Sequence, residues 1–189
     1  MRTIRYTPKC HFVLGNPRLE LFNKVRDLAL FNLAIDSKLR GCDLVALKVN
    51  DIAHGKSIQS RAIIVQKKTG TPVQFEITEN TRLSLYAHIE QSKFSSSDYL
   101  FKSGIQSSDH ISTRQYGCIV DNWVSIIGLD HTQYGTHSMR RTKPSLIYKK
   151  TKNLRSCQLL LDHRKLESTV RYLGIEVDDA LEVSESIDS

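Results

Sequence analysis

A mainly α-helical domain carrying one small antiparallel β-sheet (an α+β fold) is what this sequence predicts. Three patterns point to it. Apolar residues recur at three- and four-residue steps through most of the chain beyond Leu19. One stretch, residues 61–77, places β-branched runs on both sides of a Lys68-Thr69-Gly70-Thr71-Pro72 turn. The 189 residues, 40% apolar and 25% charged, suffice for a single domain with its own core.

Residues 1–18 hold Pro8 and Pro17 and read as an irregular lead-in. From Leu19 the spacing of Leu21, Val25, Leu28, Ala29 and Phe31 predicts a helix ending near Asp36-Ser37. A second, short helix is expected from Gly41 to Val49, with Leu44 and Leu47 inward. Asn50-Asp51 and His54-Gly55-Lys56 are turn signals. Arg61–Val65 and the alternating Val73–Ile77 form the predicted hairpin, with Lys67 or Lys68 near its tip and a third strand around Ser57–Gln59. Residues 79–91 return to helical spacing, with Leu83, Leu85, Tyr86 and Ile89. A serine-rich loop, 92–112, surrounds Tyr99-Leu100-Phe101. Residues 113–127 follow as a helix with Tyr116, Ile119, Val120 and Trp123 on one side. Three last helices are expected at 137–150, 153–161 and 165–173.

Charge is unevenly spread. Beyond Tyr172 lie Glu176, Asp178, Asp179, Glu182, Glu185 and Asp188 with no Lys or Arg. The preceding body sets 27 basic residues against the other 14 acidic ones, a net +13. A basic body with an acidic tail points to a polyanionic partner. Cys10, Cys42, Cys118 and Cys157 are scattered without a C-x-x-C, which argues against a zinc site or a disulfide framework. The N-terminus carries no apolar signal region, and no run approaches the ~18 apolar residues of a membrane span. The expectation is a cytoplasmic protein without membrane contact.

Four short stretches carry chemistry. Thr136-His137-Ser138-Met139-Arg140 is a His-x-x-Arg whose two side chains share a helix face, with Gly135-Thr136 as the N-cap. Both then fall in the first turn, where backbone N–H groups favour a phosphate. Arg40 follows an apolar helix, and Asp43, one turn on, is placed to hold its guanidinium. Lys68 and Lys67 compete for the hairpin tip. Tyr172 follows His163 by nine positions. On one continuous helix that spacing is about 180°, so a break at Leu161-Asp162-His163 is needed for the two to share a site. Leu166, Val170 and Leu173 then face the core, and Tyr172 lies off their stripe. Singly, each of these is an ordinary surface residue. Together, two arginines for phosphate oxygens, a lysine, two histidines and a tyrosine are what cleaving a phosphodiester with a tyrosine nucleophile needs. No metal or cofactor is called for.

Residues 19–175 resemble the catalytic domain of the tyrosine recombinases, the phage-integrase family. Leu39-Arg40-Gly41-Cys42-Asp43-Leu44 is similar to the first arginine box, Lys67-Lys68-Thr69-Gly70 to the hairpin lysine, and His137-Ser138-Met139-Arg140 to the His-x-x-Arg box. The spacings from Arg140 to His163 and on to Tyr172 also match. The resemblance implies Arg40, Lys68, His137, Arg140, His163 and Tyr172 as the catalytic set, with Lys-Thr-Gly favouring Lys68. It implies a recombinase or integrase working through a 3′-phosphotyrosyl intermediate, acting on double-stranded DNA as a homo-oligomer. Asp162 departs from the pattern where a glycine commonly precedes the histidine, as do Arg141 and Pro144. The likeness begins near the start of the sequence, where such enzymes usually carry a DNA-binding domain completing a clamp. That leaves open a non-enzymatic, integrase-like DNA-binding or accessory protein. Residues 176–189 are expected to be an acidic tail that docks in trans within a DNA-bound assembly.

Overall fold

The computed structural model describes residues 25–55, 57–104 and 107–175. Two compact units divide between Lys143 and Pro144. The expected lead-in, the acidic tail and the start of the first helix lie outside the described residues.

In the first unit, helix α1 (Val25–Ser37) buries Ala29, Leu30, Phe31, Leu33 and Ala34. It ends where predicted, and Lys38 then takes the left-handed conformation, φ 55°. The expected helix 41–49 is instead two single turns, α2 (Gly41–Leu44) and α3 (Val49–Ile52). Leu44 and Leu47 are inward, as the spacing required. Asn50 and Asp51, read as turn formers, belong to α3, because Asp51 accepts a hydrogen bond from the Lys48 amide at 2.7 Å and caps that turn.

Strands β1 (Ala53–His54) and β2 (Ser57–Ile58) pair antiparallel about Gly55, whose φ of 61° suits glycine. β3 (Arg61–Val65) and β4 (Pro72–Glu76) form the predicted hairpin, in the register Ala62 opposite Phe75 and Val65 opposite Pro72. The strand expected near Ser57 exists but pairs with β1 rather than joining the hairpin, so the described residues form two separate two-stranded sheets. Helix α4 (Glu79–Ser92) buries Thr81, Ser84, Leu85 and His88. Leu83 and Tyr86, part of the helical spacing, are exposed, because α4 packs on α1 and β2 through a face rich in small polar side chains. Ser84 bonds both Asn32 on α1 and the Thr81 carbonyl. Helix α5 (Thr113–Ile126) is capped by Ser112 and seats Tyr116, Val120, Trp123 and Val124 in the main core.

Helix α6 (Thr136–Thr151) contains the division between the units. In the second unit, α7 (Leu154–Leu161) and α8 (Leu166–Leu173) close a small cluster of Cys157, Leu161 and Leu173. Leu166 is exposed, contrary to its place in the predicted stripe; Thr169 takes the inward position. No helix among the described residues is long and apolar enough to cross a membrane.

Candidate active site

Arg40 sits where the chain leaves α1 and enters α2. Its backbone is extended (φ −66°, ψ 148°), and its carbonyl accepts from the amides of Asp43 and Leu44, both at 2.9 Å. Its side chain turns to the hairpin, where Nη1 donates to Oε1 of Gln66. That oxygen also accepts from the Thr69 hydroxyl at 2.9 Å. Asp43, expected to hold the Arg40 guanidinium, instead accepts from the Lys67 amide at 2.9 Å. It grips the hairpin backbone, one residue before Lys68. Lys67 and Lys68 are both exposed at the tip, and Gly70 closes the turn at φ 66°. Gln66 was not singled out from the sequence. Its signal is the period-2 alternation that puts Ala62 and Ile64 inward and carries on one step past the strand.

His137 and Arg140 lie on α6. The helix begins at Thr136, and the Ser138 hydroxyl accepts from the Gly135 amide at 3.2 Å, fixing the first turn. His137 is exposed within that turn, whereas Arg140 lies one turn further and is buried. One more turn on, Lys143 meets two carboxylates, Asp36 at 2.8 Å and Glu76. Asp36 also accepts from the Thr78 amide (2.9 Å) and from the Thr78 and Thr81 hydroxyls (both 2.6 Å). Burial alone would raise the Asp36 carboxyl, but the bonds from Lys143, Thr78 and Thr81 outweigh it and hold the group below its ordinary value. Lys143 is affected in mirror image, with burial overcome by its two carboxylates and its ammonium favoured. Lys38, only 3% exposed, is pushed down to about 8 by burial and the neighbouring Lys143 charge, against the opposing pull of Glu76 and Asp36.

In the second unit, the required break occurs at the expected place. Helix α7 stops at Leu161, Asp162 takes φ 54°, and α8 starts at Leu166. His163 is held between them: its amide donates to the Gln158 carbonyl at 3.1 Å, and the Gln158 side chain returns a bond to the His163 carbonyl at 2.9 Å. Its Nδ1 lies 3.1 Å from the Thr169 hydroxyl. Tyr172, half-buried, meets the imidazole edge-to-face, centroids 5.3 Å apart at 89°. A non-glycine residue in the left-handed region costs about 1 kcal/mol, which Asp tolerates better than most residues. The turn therefore forms without the glycine. Thus Arg40 and the hairpin are joined in the first unit, which also carries His137 and Arg140 on α6. His163 and Tyr172 are joined in the second. Gln158 and Thr169 escaped the sequence reading because each lies on a helix whose partner loop is set only by the break at Asp162. Among the described residues no group of three His, Cys, Asp or Glu side chains is arranged to hold a metal.

Known proteins resemble this chain in sequence and in fold. A probable integrase/recombinase, YoeC, of Bacillus subtilis (strain 168) is 31% identical over 159 residues, covering 84% of this chain and 83% of YoeC. The crystal structure of XerA recombinase superposes with a TM-score of 0.71 at 17% identity, over 89% of this chain and 60% of that one. XerH site-specific recombinase bound to its difH substrate in a pre-cleavage complex gives 0.66 at 18% identity, over 93% of this chain and 54% of that one. A lambda integrase dimer bound to a COC′ core site gives 0.60 at 17%, over 82% and 44%. This chain therefore spans 44% to 60% of those solved chains and shares the fold of their tyrosine-recombinase catalytic domains. The family model for the phage integrases matches residues 19–177, so that the Arg40 box, the Lys68 hairpin, the His137–Arg140 helix and the His163–Tyr172 pair all fall within it, and the chain belongs to the phage integrase family.

Proposed function

We propose that this protein is a site-specific DNA recombinase or integrase that breaks and rejoins duplex DNA through a 3′-phosphotyrosyl intermediate. Tyr172 Oη attacks the scissile phosphorus; the Oη–P bond forms and the P–O5′ bond breaks. The tyrosine proton passes to His137, and Lys68 gives a proton to the departing 5′-oxygen. Arg40 and Arg140 bond the non-bridging oxygens as negative charge builds, and His163 adds a further donor. Rejoining reverses these steps, with a 5′-hydroxyl attacking the phosphotyrosine. The scheme uses no metal or cofactor. Residues 19–175 supply this catalytic domain, 1–18 a lead-in and 176–189 a tail that engages a neighbouring protomer on DNA. The substrate places the protein in the cytoplasm.

The observation that carries this reading is the edge-to-face contact of His163 and Tyr172. It puts a phenol beside an imidazole fixed by Gln158 and Thr169, at a spacing that one continuous helix would not allow. A nicked suicide duplex, which loses the 5′ fragment after cleavage, tests the proposal. The full chain is expected to give a covalent protein–DNA band and Tyr172→Phe none, with binding retained. Salt-sensitive retardation by the wild type without a covalent band would make the protein a DNA-binding accessory factor instead. Deleting residues 176–189 is expected to reduce recombination more than DNA binding.

A further inference from the structure

Lys143 belongs to none of the motifs discussed, yet it stands where three of the elements that carry them meet. It is one turn beyond Arg140 on α6. Asp36, which it bonds at 2.8 Å, is the penultimate residue of α1 and lies four positions before Arg40. Glu76, its other partner, is the last residue of β4 and pairs across the hairpin with Arg61, at the end remote from Lys68. Asp36 is fixed in turn by Thr78 and Thr81, at the entry to α4. One ammonium thus ties the Arg140 helix to the stem of the Arg40 box and to the base of the Lys68 hairpin.

We infer that Lys143 is a positioning residue for strand cleavage: through Asp36 and Glu76 it sets the register of the Arg140 helix against Arg40 and Lys68. The inference rests on the recombinase reading above. Phosphoryl transfer is sensitive to this register, because two guanidinium groups and a lysine must meet one phosphate together. A displacement of about 1 Å in such an array costs on the order of 100-fold in rate. The Lys143 stem is mostly buried, with 19% of the side chain exposed, so its ammonium is withdrawn from direct work on a phosphate in open solvent.

The test uses full-length Lys143→Met and Lys143→Arg on a nicked suicide duplex that traps the wild type. Single-turnover cleavage is followed at saturating DNA, with affinity measured separately. Lys143→Met is expected to cleave about 100-fold more slowly while its DNA affinity stays within about threefold. Lys143→Arg, which keeps a cation between the carboxylates, is expected to recover at least about a tenth of the wild-type rate. Amide hydrogen exchange of residues 66–71 and 136–141 in the DNA-free variants supplies a reading that does not depend on cleavage; Lys143→Met should lose protection in both segments and Lys143→Arg should keep it. Cleavage by a folded Lys143→Met within about threefold of wild type would overturn the inference, as would rate and affinity falling together without rescue by arginine. If the wild type itself forms no adduct beyond that of Tyr172→Phe, the recombinase reading fails. The exchange data then decide whether Lys143 orders the two segments at all, and unchanged protection overturns that too.

Discussion

The Arg40–hairpin region and the His163–Tyr172 region are built on different principles. The first is held by largely part-buried polar bonds of defined direction: Arg40 to Gln66, Asp43 to the Lys67 amide, and Asp36 to four donors. The second is held by a small apolar cluster of Cys157, Leu161 and Leu173, with His163 secured by Gln158 and Thr169. Directional bonds fix angles and resist small displacements, whereas a small apolar cluster fixes proximity and opens at lower cost. Arg40 and the hairpin are thus held through directional bonds, and Tyr172 packs against the small apolar cluster. For the nucleophile proposed above, which must both attack and retreat, a mounting on a small apolar cluster is suitable.

Substitutions can break this contrast from either side. Asp36→Ala should have the largest effect, since it leaves Lys143 and the two threonines without their shared acceptor. A loss of about 4 kcal/mol is expected in denaturant unfolding, and cleavage should fall with it. Leu161→Ala attacks the other side. It opens a cavity in the smaller cluster and should cost about 3 kcal/mol by the same measurement. Hydrogen exchange should then rise at residues 157–173 and remain unchanged across the hairpin if the two regions are mounted separately.

Lys38→Met sharpens the comparison through pH. The Lys38 amine titrates near 8 in the folded chain and at 10.5 ordinarily, so below pH 8 both states carry the proton and the folded state bears the full cost of a buried charge. Between those values the unfolded chain holds the extra proton, and wild-type stability rises with pH. The variant should be more stable than wild type by up to about 3 kcal/mol near neutrality, with the gap closing as pH climbs from 8 towards 10.5. A gap that does not change over that window would show that the amine is not penalised. Thr169→Val should have the smallest effect on stability, about 1 kcal/mol from losing one buried hydrogen bond. It should still slow adduct formation on the suicide duplex, because the imidazole beside Tyr172 then loses one of its restraints.

Helix positions and the break before His163 were legible in the sequence because apolar spacing and a fixed nine-residue interval are local signals. The single turns α2 and α3 were not, since the cap made by Asp51 looks the same in sequence as a turn. The polar face of α4 is not legible from apolar spacing, because the helix buries Ser84 and His88 to meet partners elsewhere in the chain. The same reason hid Gln66, Thr169 and Lys143. Each is polar, and its worth lies in a partner 26, 6 or 107 positions away. Asp43 was read as the clamp on Arg40 because it is near in sequence; the fold gives it to the hairpin and gives Arg40 to Gln66.

The 107-residue separation between Lys143 and Asp36 also bears on the order of folding. Thr78 and Thr81 lie only 42 and 45 residues from Asp36, so they can reach it while the chain is still being synthesised. Helix α1, the hairpin and α4 can pack around a carboxylate that already has three of its four donors. Lys143, synthesised last, closes a contact of high sequence separation, and its bond is expected to form after the folding barrier. Removing it should leave the folding rate nearly unchanged and speed unfolding. On that expectation Lys143 is a late latch, one that governs how long the arginine box and the hairpin stay in register once the chain is complete.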